Sequence, residues 1–182
     1  MGKWSTTHIK MIIWIIGKSA AGKTVIGQEL NKLIKNEHKN VVALDGDIFR
    51  GLHDNDLDYS IESRKKNSDR ISRMCQFLDQ QDIHVVCSTQ SNFHDAQQWN
   101  RDNYNDYFEI YLDVPYNILL QRDPKGLYKK ALAGEMPNMV GLDIKFTPPL
   151  NPHMTINNVG DETPLVIAQR IFAKITHKFK ES

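Results

Sequence analysis

An α/β fold with a central parallel sheet is predicted, on three observations. An unbroken apolar run, MIIWII from Met11 to Ile16, stops at Gly17. Segments with helical apolar spacing alternate with short β-branched runs along the chain, the pattern of repeated βαβ units. The residues suited to chemistry gather where those runs end, at 17–24, 45–50 and 88–93, and open parallel sheets bind ligands beyond the carboxyl ends of their strands.

The elements follow in order. Residues 1–10 read as a polar arm. The run 11–16 is too continuous for a half-exposed strand and predicts one buried on both faces. Val25, Ile26, Leu30, Leu33 and Ile34 predict a helix over Lys23–Glu37. A second strand is expected at 41–44, ending in Asp45-Gly46-Asp47. Ile71, Met74, Cys75 and Leu78 form one stripe of a helix over Ile61–Gln80. Strands are expected at 83–87 and 108–112, then a helix over Tyr116–Arg122 with Pro115 at its start. Residues 123–150 are basic, rich in Gly and Pro and weakly periodic, and read as a mobile lid and acceptor loop. A last strand at Met154–Asn157 and an amphipathic helix at 163–179, carrying Leu165, Ile167, Ile171, Ile175 and Phe179, complete one domain over 1–182.

The bulk properties exclude several classes. The 182 residues carry a formal net charge of +1, so no global field argues for nucleic acid or a membrane surface. The longest apolar run is too short to span a bilayer or to serve as a secretory segment. Gly2 and Thr6 fit the loose N-myristoylation pattern, which ranks below an ordinary N-terminus. Cys75 and Cys87 form no CxxC pair and read as reduced, partly buried thiols of a cytoplasmic protein. The seven histidines have no ligand spacing, and Trp4, Trp14 and Trp99 make no stacking array.

One motif is specific. Gly17-Lys18-Ser19-Ala20-Ala21-Gly22-Lys23-Thr24 fits G-x-x-x-x-G-K-[ST] in full. Such a loop curls so that successive N–H groups face phosphate oxygens, and the following helix adds its positive end. Lys23 is then expected at the β- and γ-phosphates of ATP, and the Thr24 hydroxyl on Mg²⁺. By composition alone a chance match in a chain of this length is on the order of one in a hundred. The expected fold is therefore the P-loop NTPase three-layer fold. The only Asn-Lys pair, Asn31-Lys32, is followed by Leu33 and Ile34, so no guanine-reading N-K-x-D motif is present and a small-molecule kinase is favoured over a GTPase.

On the acceptor side, Asp45 and Asp47 flank a glycine at an expected strand end. Phosphoryl transfer needs a carboxylate to orient the acceptor hydroxyl and take its proton, and others to hold the metal. Asp47 is assigned the first role and Asp45 the second; without the P-loop beside it the segment would read as an ordinary Asp-Gly turn. Arg64 and Asn67 lie three apart on one helix and can face one anionic ligand or simply form a solvated face.

The order Leu44-Asp-Gly-Asp…Arg50, Arg64-Lys-Lys-Asn67 and Gln121-Arg-Asp-Pro-Lys-Gly-Leu-Tyr-Lys-Lys-Ala131 after the P-loop resembles the adenylyl-sulfate (APS) kinase family, over about residues 11–157. The resemblance implies transfer of the ATP γ-phosphoryl to the ribose 3′-hydroxyl of adenylyl sulfate. It implies that Arg50, Tyr59, Arg64, Asn67, Gln90, Ser91, Lys125 and Met139 surround the acceptor, and that Arg122 to Lys130 form the lid, with Arg122 on the ATP. ATP, Mg²⁺ and an anionic nucleotide are the implied partners, with a homodimer left open.

Departures cluster on the acceptor side. Met139-Val140-Gly141 stands where the family has Phe-Thr-Gly, and Gln90-Ser91-Asn92 where it has Ile-Ser-Pro. In the P-loop, Lys18 and Ala20 replace the usual Leu and Gly. A same-fold kinase acting on another modified nucleotide, such as cytidine diphosphoramidate, is the near competitor. An idle nucleotide-binding module is the rival from another class, and the intact Lys23, Thr24, Asp45 and Asp47 speak against it.

Overall fold

The computed structural model describes residues 11–180, with side chains through Thr176. The polar arm, the Gly2–Thr6 pattern, Trp4, His8 and the side chain of Phe179 lie outside that range.

Strand β1 (Ile12–Ile16) is buried over all five residues. It lies at the middle of a five-stranded sheet of order β2-β3-β1-β4-β5, formed with β2 (Val41–Asp45), β3 (His84–Thr89), β4 (Tyr107–Asp113) and β5 (Met154–Asn157). Every pairing is parallel. The pleat of β1 explains its composition. Ile13 and Ile15 face one core, with Ile26, Leu30 and Ile34 of α1 (Lys23–Glu37) and Ile167, Ile171 and Ile175 of α7 (Pro164–Lys180). Ile12, Trp14 and Ile16 face the other, with Ile71 and Cys75 of α3 (Ile61–Gln80). Both faces of the strand are covered, so both need apolar side chains. The result is the expected α/β three-layer fold, helices on each side of a parallel sheet.

Helix α3, α5 (Tyr116–Arg122) and β5 have the bounds read from sequence. Three helices were not expected. Helix α2 (Gly46–Gly51) begins at the Asp-Gly-Asp turn because the Asp45 carboxylate caps it, accepting from the N–H groups of Asp47 and Ile48. At six residues it is too short to show a period. Helix α4 (His94–Asn103) hides its buried stripe in polar residues: Gln97 and Asn100 are buried beside Ala96. The stretch 123–150, expected as a lid and acceptor loop with little periodicity, has more regular structure than its sequence period shows. It contains α6 (Leu127–Leu132), and Tyr128, Met139 and Val140 are all buried in the cores. Asn92 adds a double tie, its Nδ2 donating to the Lys145 carbonyl and its Oδ1 accepting from the Thr147 N–H.

Candidate active site

The loop after β1 sits at the centre of the sheet's carboxyl edge. Its backbone is bent by left-handed residues, Ala20 at φ 63° and Gly22 at φ 94°. Gly17 has no room for a side chain: a Cβ there would lie 3.1 Å from the Leu112 carbonyl oxygen. Gly22 caps α1 without any side-chain acceptor, and the first turn holds no acid. The first N–H groups of α1 thus lack a side-chain cap, the arrangement that receives phosphate.

Lys23 Nζ donates to the Lys18 carbonyl at 2.8 Å. Burial lowers its pKa to about 8, against the opposing pull of Asp47 and Asp45. Thr24 Oγ1 donates to Asp45 Oδ2 at 2.6 Å, while the other Asp45 oxygen caps α2. One carboxylate therefore ties the P-loop helix to the second strand end. Across the opening, Lys125 Nζ lies 2.6 Å from Asp47 Oδ2. Both side chains are more than half exposed, 62% and 60%, so this pair contributes no more than about 1 kcal/mol and is readily exchanged.

Two cavities meet here. The larger, about 590 Å³, is lined by Ser19, Lys23, Thr24, Asp45, Arg122 and Asn158 among others. The smaller, about 70 Å³, is lined by Arg50, Tyr59, Arg64, Asn67, Ser91 and Asn92 among others. Asp47, Thr89 and Gln90 line both.

The charged groups of the small cavity are engaged by protein partners. Arg64 donates at 2.8 Å to three acceptors on separate segments: the Tyr59 carbonyl, Gln90 Oε1 and the Asn138 carbonyl. Arg50 donates to the carbonyls of Leu57 and Asp58. Both guanidinium groups also lie against the Tyr59 ring, at 4.9 and 5.3 Å from its centre. The hydrogen bonds of both cations go to neutral oxygens.

The structure thus places most of the sequence-predicted residues together. Ser19, Ala20, Gly22, Lys23, Thr24, Arg122 and Lys125 border the large cavity. Arg50, Tyr59, Arg64, Asn67, Gln90 and Ser91 border the small one. Four border neither cavity, and Lys125, expected at the acceptor, borders the large cavity and not the small one. Gly17 and Ala21 lie beneath the loop, buried. The Lys18 ammonium instead points to the Phe146 ring, 5.4 Å from its centre. Met139 corrects the expectation of an acceptor contact. It is 2% exposed in the core and lines neither cavity. Its carbonyl accepts from Leu142 and Ile144 and its N–H donates to Asp143, a tight turn that holds the side chain inward.

Sequence reasoning missed Asn158 and Tyr128. Asn158 Nδ2 donates to the Ala21 carbonyl at 2.9 Å, and its own N–H donates to the Asp113 carbonyl, fastening the P-loop to the sheet. Its position one residue past a strand at the sheet's carboxyl edge was the available signal. Tyr128 is fully buried and its hydroxyl donates to the Ser19 carbonyl at 3.2 Å, joining α6 to the P-loop. Among the described residues no group of three or more His, Cys, Asp or Glu side chains is placed to hold a metal, and no helix is long and apolar enough to cross a membrane.

A phosphate-receiving loop at the centre of a parallel sheet, a capped carboxylate beside it and a second cavity across the wall define a P-loop kinase. The chain belongs to the adenylylsulphate kinase family, whose profile matches residues 9–157, and is one of its ATP-dependent phosphotransferases. It is 38% identical over 147 residues to the cytidine diphosphoramidate kinase of Campylobacter jejuni, covering 81% of this chain and 85% of that one. It is 37% identical over 144 residues to the adenylyl-sulfate kinase of Halothermothrix orenii, covering 79% and 78%. Among solved structures it is similar to the Mycobacterium tuberculosis APS kinase in complex with AMPPNP and APS. The TM-score is 0.84 at 28% identity, over 92% of this chain and 98% of that one.

Proposed function

We propose that the chain transfers the γ-phosphoryl group of ATP to the ribose 3′-hydroxyl of adenylyl sulfate. The observation that carries this reading is Asp47, on the wall shared by the two cavities. A donor in the large cavity and an acceptor in the small one can meet only there. The acceptor oxygen bonds to the γ-phosphorus as the bond to the β-phosphate oxygen breaks; the hydroxyl proton passes to the Asp47 carboxylate, and ADP leaves. Lys23, Arg122 and Lys125 neutralise the moving phosphoryl group, which is most of what such a transfer requires. Arg50, Arg64 and Asn67 hold the acceptor's anionic end. Thr24 and Asp45 offer the hard oxygen donors that suit Mg²⁺, and already lie in contact. Bound there, Mg²⁺ would supply charge neutralisation on the phosphates. ATP and a small anionic nucleotide are the partners of this reading, and the cytoplasm its place.

A second reading has specific support. Met139 is withdrawn into the core and Gln90 brings an amide to the shared wall, so the acceptor side differs from the family pattern while the donor side keeps it. Cytidine diphosphoramidate is the alternative acceptor, and the Campylobacter relative carries that name. A coupled ADP-release assay with ATP and Mg²⁺, offering each acceptor in turn, tests both. Turnover of adenylyl sulfate with the higher kcat/KM supports the first reading and preference for the cytidine compound the second. ATP binding with turnover of neither overturns both.

A further inference from the structure

The corner formed by Gln90 and Ser91 carries more than the shape of a wall. A guanidinium has donors only, so the 2.8 Å bond from Arg64 fixes the Gln90 amide with Oε1 toward Arg64. Its Nε2 must then point elsewhere, and among the described residues no protein group is bonded to it. Gln90 lines both cavities, beside Asp47. Next to it, Ser91 is 5% exposed and borders the acceptor cavity, and its Oγ has no hydrogen-bond partner. The backbone that places it is unusual: Ser91 has φ 43°, a left-handed conformation for a non-glycine residue. It is secured from behind by the buried Gln97, whose Nε2 donates to the Ser91 carbonyl at 2.8 Å. A buried hydroxyl without a protein partner is unfavourable, and an accepting atom in the cavity that Ser91 borders would complete it.

Resting on the proposed function, we infer that Gln90 and Ser91 form a pair of specificity-determining donors that hold a hydrogen-bond-accepting atom of the acceptor's nucleoside. Arg64 sets the polarity of the pair. That atom belongs to the base edge or to the ribose, and both offer the same chemistry, an oxygen or ring nitrogen with a lone pair. Of the two amides in this turn only Gln90 reads the ligand, because both ends of the Asn92 amide are bonded to the Lys145–Thr147 backbone. Polar recognition of this kind separates ligands more sharply than apolar packing, because an analogue without the matching atom leaves buried donors unpaired.

The test uses Gln90→Leu and Ser91→Gly, with steady-state kinetics on adenylyl sulfate, on cytidine diphosphoramidate and on the 2′-deoxy form of whichever is preferred. Glycine suits the left-handed backbone, so Ser91→Gly removes the hydroxyl without adding strain and is expected to melt no lower than the parent. Each variant should raise the KM for the acceptor about tenfold while the KM for ATP moves by less than about twofold. A changed ratio between the two acceptors assigns the contact to the base edge. An equal fall for both, absent with the 2′-deoxy compound, assigns it to the ribose. Acceptor KM values in both variants within about twofold of the parent overturn the inference while the proposed function stands. A parent that binds ATP and turns over neither acceptor overturns both.

Discussion

The two cavities share a wall and little else. The donor side is about 590 Å³, and the first N–H groups of α1 beside it carry no side-chain cap. The acceptor side is about 70 Å³, and its charged groups are engaged with one another's segments. The donor half is held by bonds within one loop and its neighbouring strand end; the acceptor half must exchange Arg64's bond to the Asn138 carbonyl for bonds to a ligand, while its bond to Gln90 is kept. The difference teaches where selectivity resides. An acceptor must outcompete a neutral carbonyl for the Arg64 guanidinium, which favours an anionic group over a neutral one.

The sharpest way to break this contrast is at the donor side. Lys23→Ala should reduce phosphoryl transfer on the order of a thousandfold, since it removes the ammonium that the proposed function sets on the ATP phosphates. Near-normal turnover would show that the loop does not serve ATP in this chain. Next comes the shared wall: Asp47→Asn should lower kcat by about a hundredfold or more while ATP affinity, read with a fluorescent analogue, changes little. Loss of ATP affinity alone would assign Asp47 to the donor side. On the acceptor side, Arg64→Ala should raise the acceptor KM about tenfold to a hundredfold with the ATP KM nearly constant; an equal rise in both would mean that the two halves are not separable.

A smaller effect depends on pH. In the free protein Lys23 has a pKa of about 8, below its ordinary value of 10.5. Phosphates at the site favour the charged form and raise it again. ATP binding should therefore take up a proton above about pH 8, and affinity should fall as pH rises. Calorimetry in buffers of different ionisation enthalpy measures that uptake; no uptake at pH 9 would contradict it. The unfolded chain binds this proton more tightly between pH 8 and 10.5, so the same group makes the free protein's stability increase with pH across that window. The smallest expected change is Ala20→Gly. It relieves a left-handed alanine but frees the unfolded chain, a net gain of about 0.5–1 kcal/mol seen as a slightly higher Tm. A lower Tm would mean that the Ala20 methyl packs usefully.

The same contrast explains what the sequence made visible. The donor side is one contiguous stretch, Gly17 to Thr24, between a strand and a helix whose periods are plain, so its position could be read directly. Even there Lys18 faces Phe146, because a loop this tight turns successive side chains to opposite sides. The acceptor side is assembled from Arg50, Tyr59, Arg64, Gln90 and Asn138, which five separate segments bring together. No spacing encodes that meeting. The family resemblance proposed the members, and it misplaced Met139 because side-chain direction in a short turn follows backbone bonds that a motif does not record. Helix α4 escaped for a related reason, since Gln97 and Asn100 carry its buried face without an apolar period.

Tyr128 has a wider consequence. Its hydroxyl joins the segment that covers the site to the loop beneath it, by a bond to the Ser19 carbonyl from a ring wedged in the core. Roof and floor therefore share a rivet. A shift of the Ser19 carbonyl would be passed to α6 through this bond, without a relay through the acceptor side.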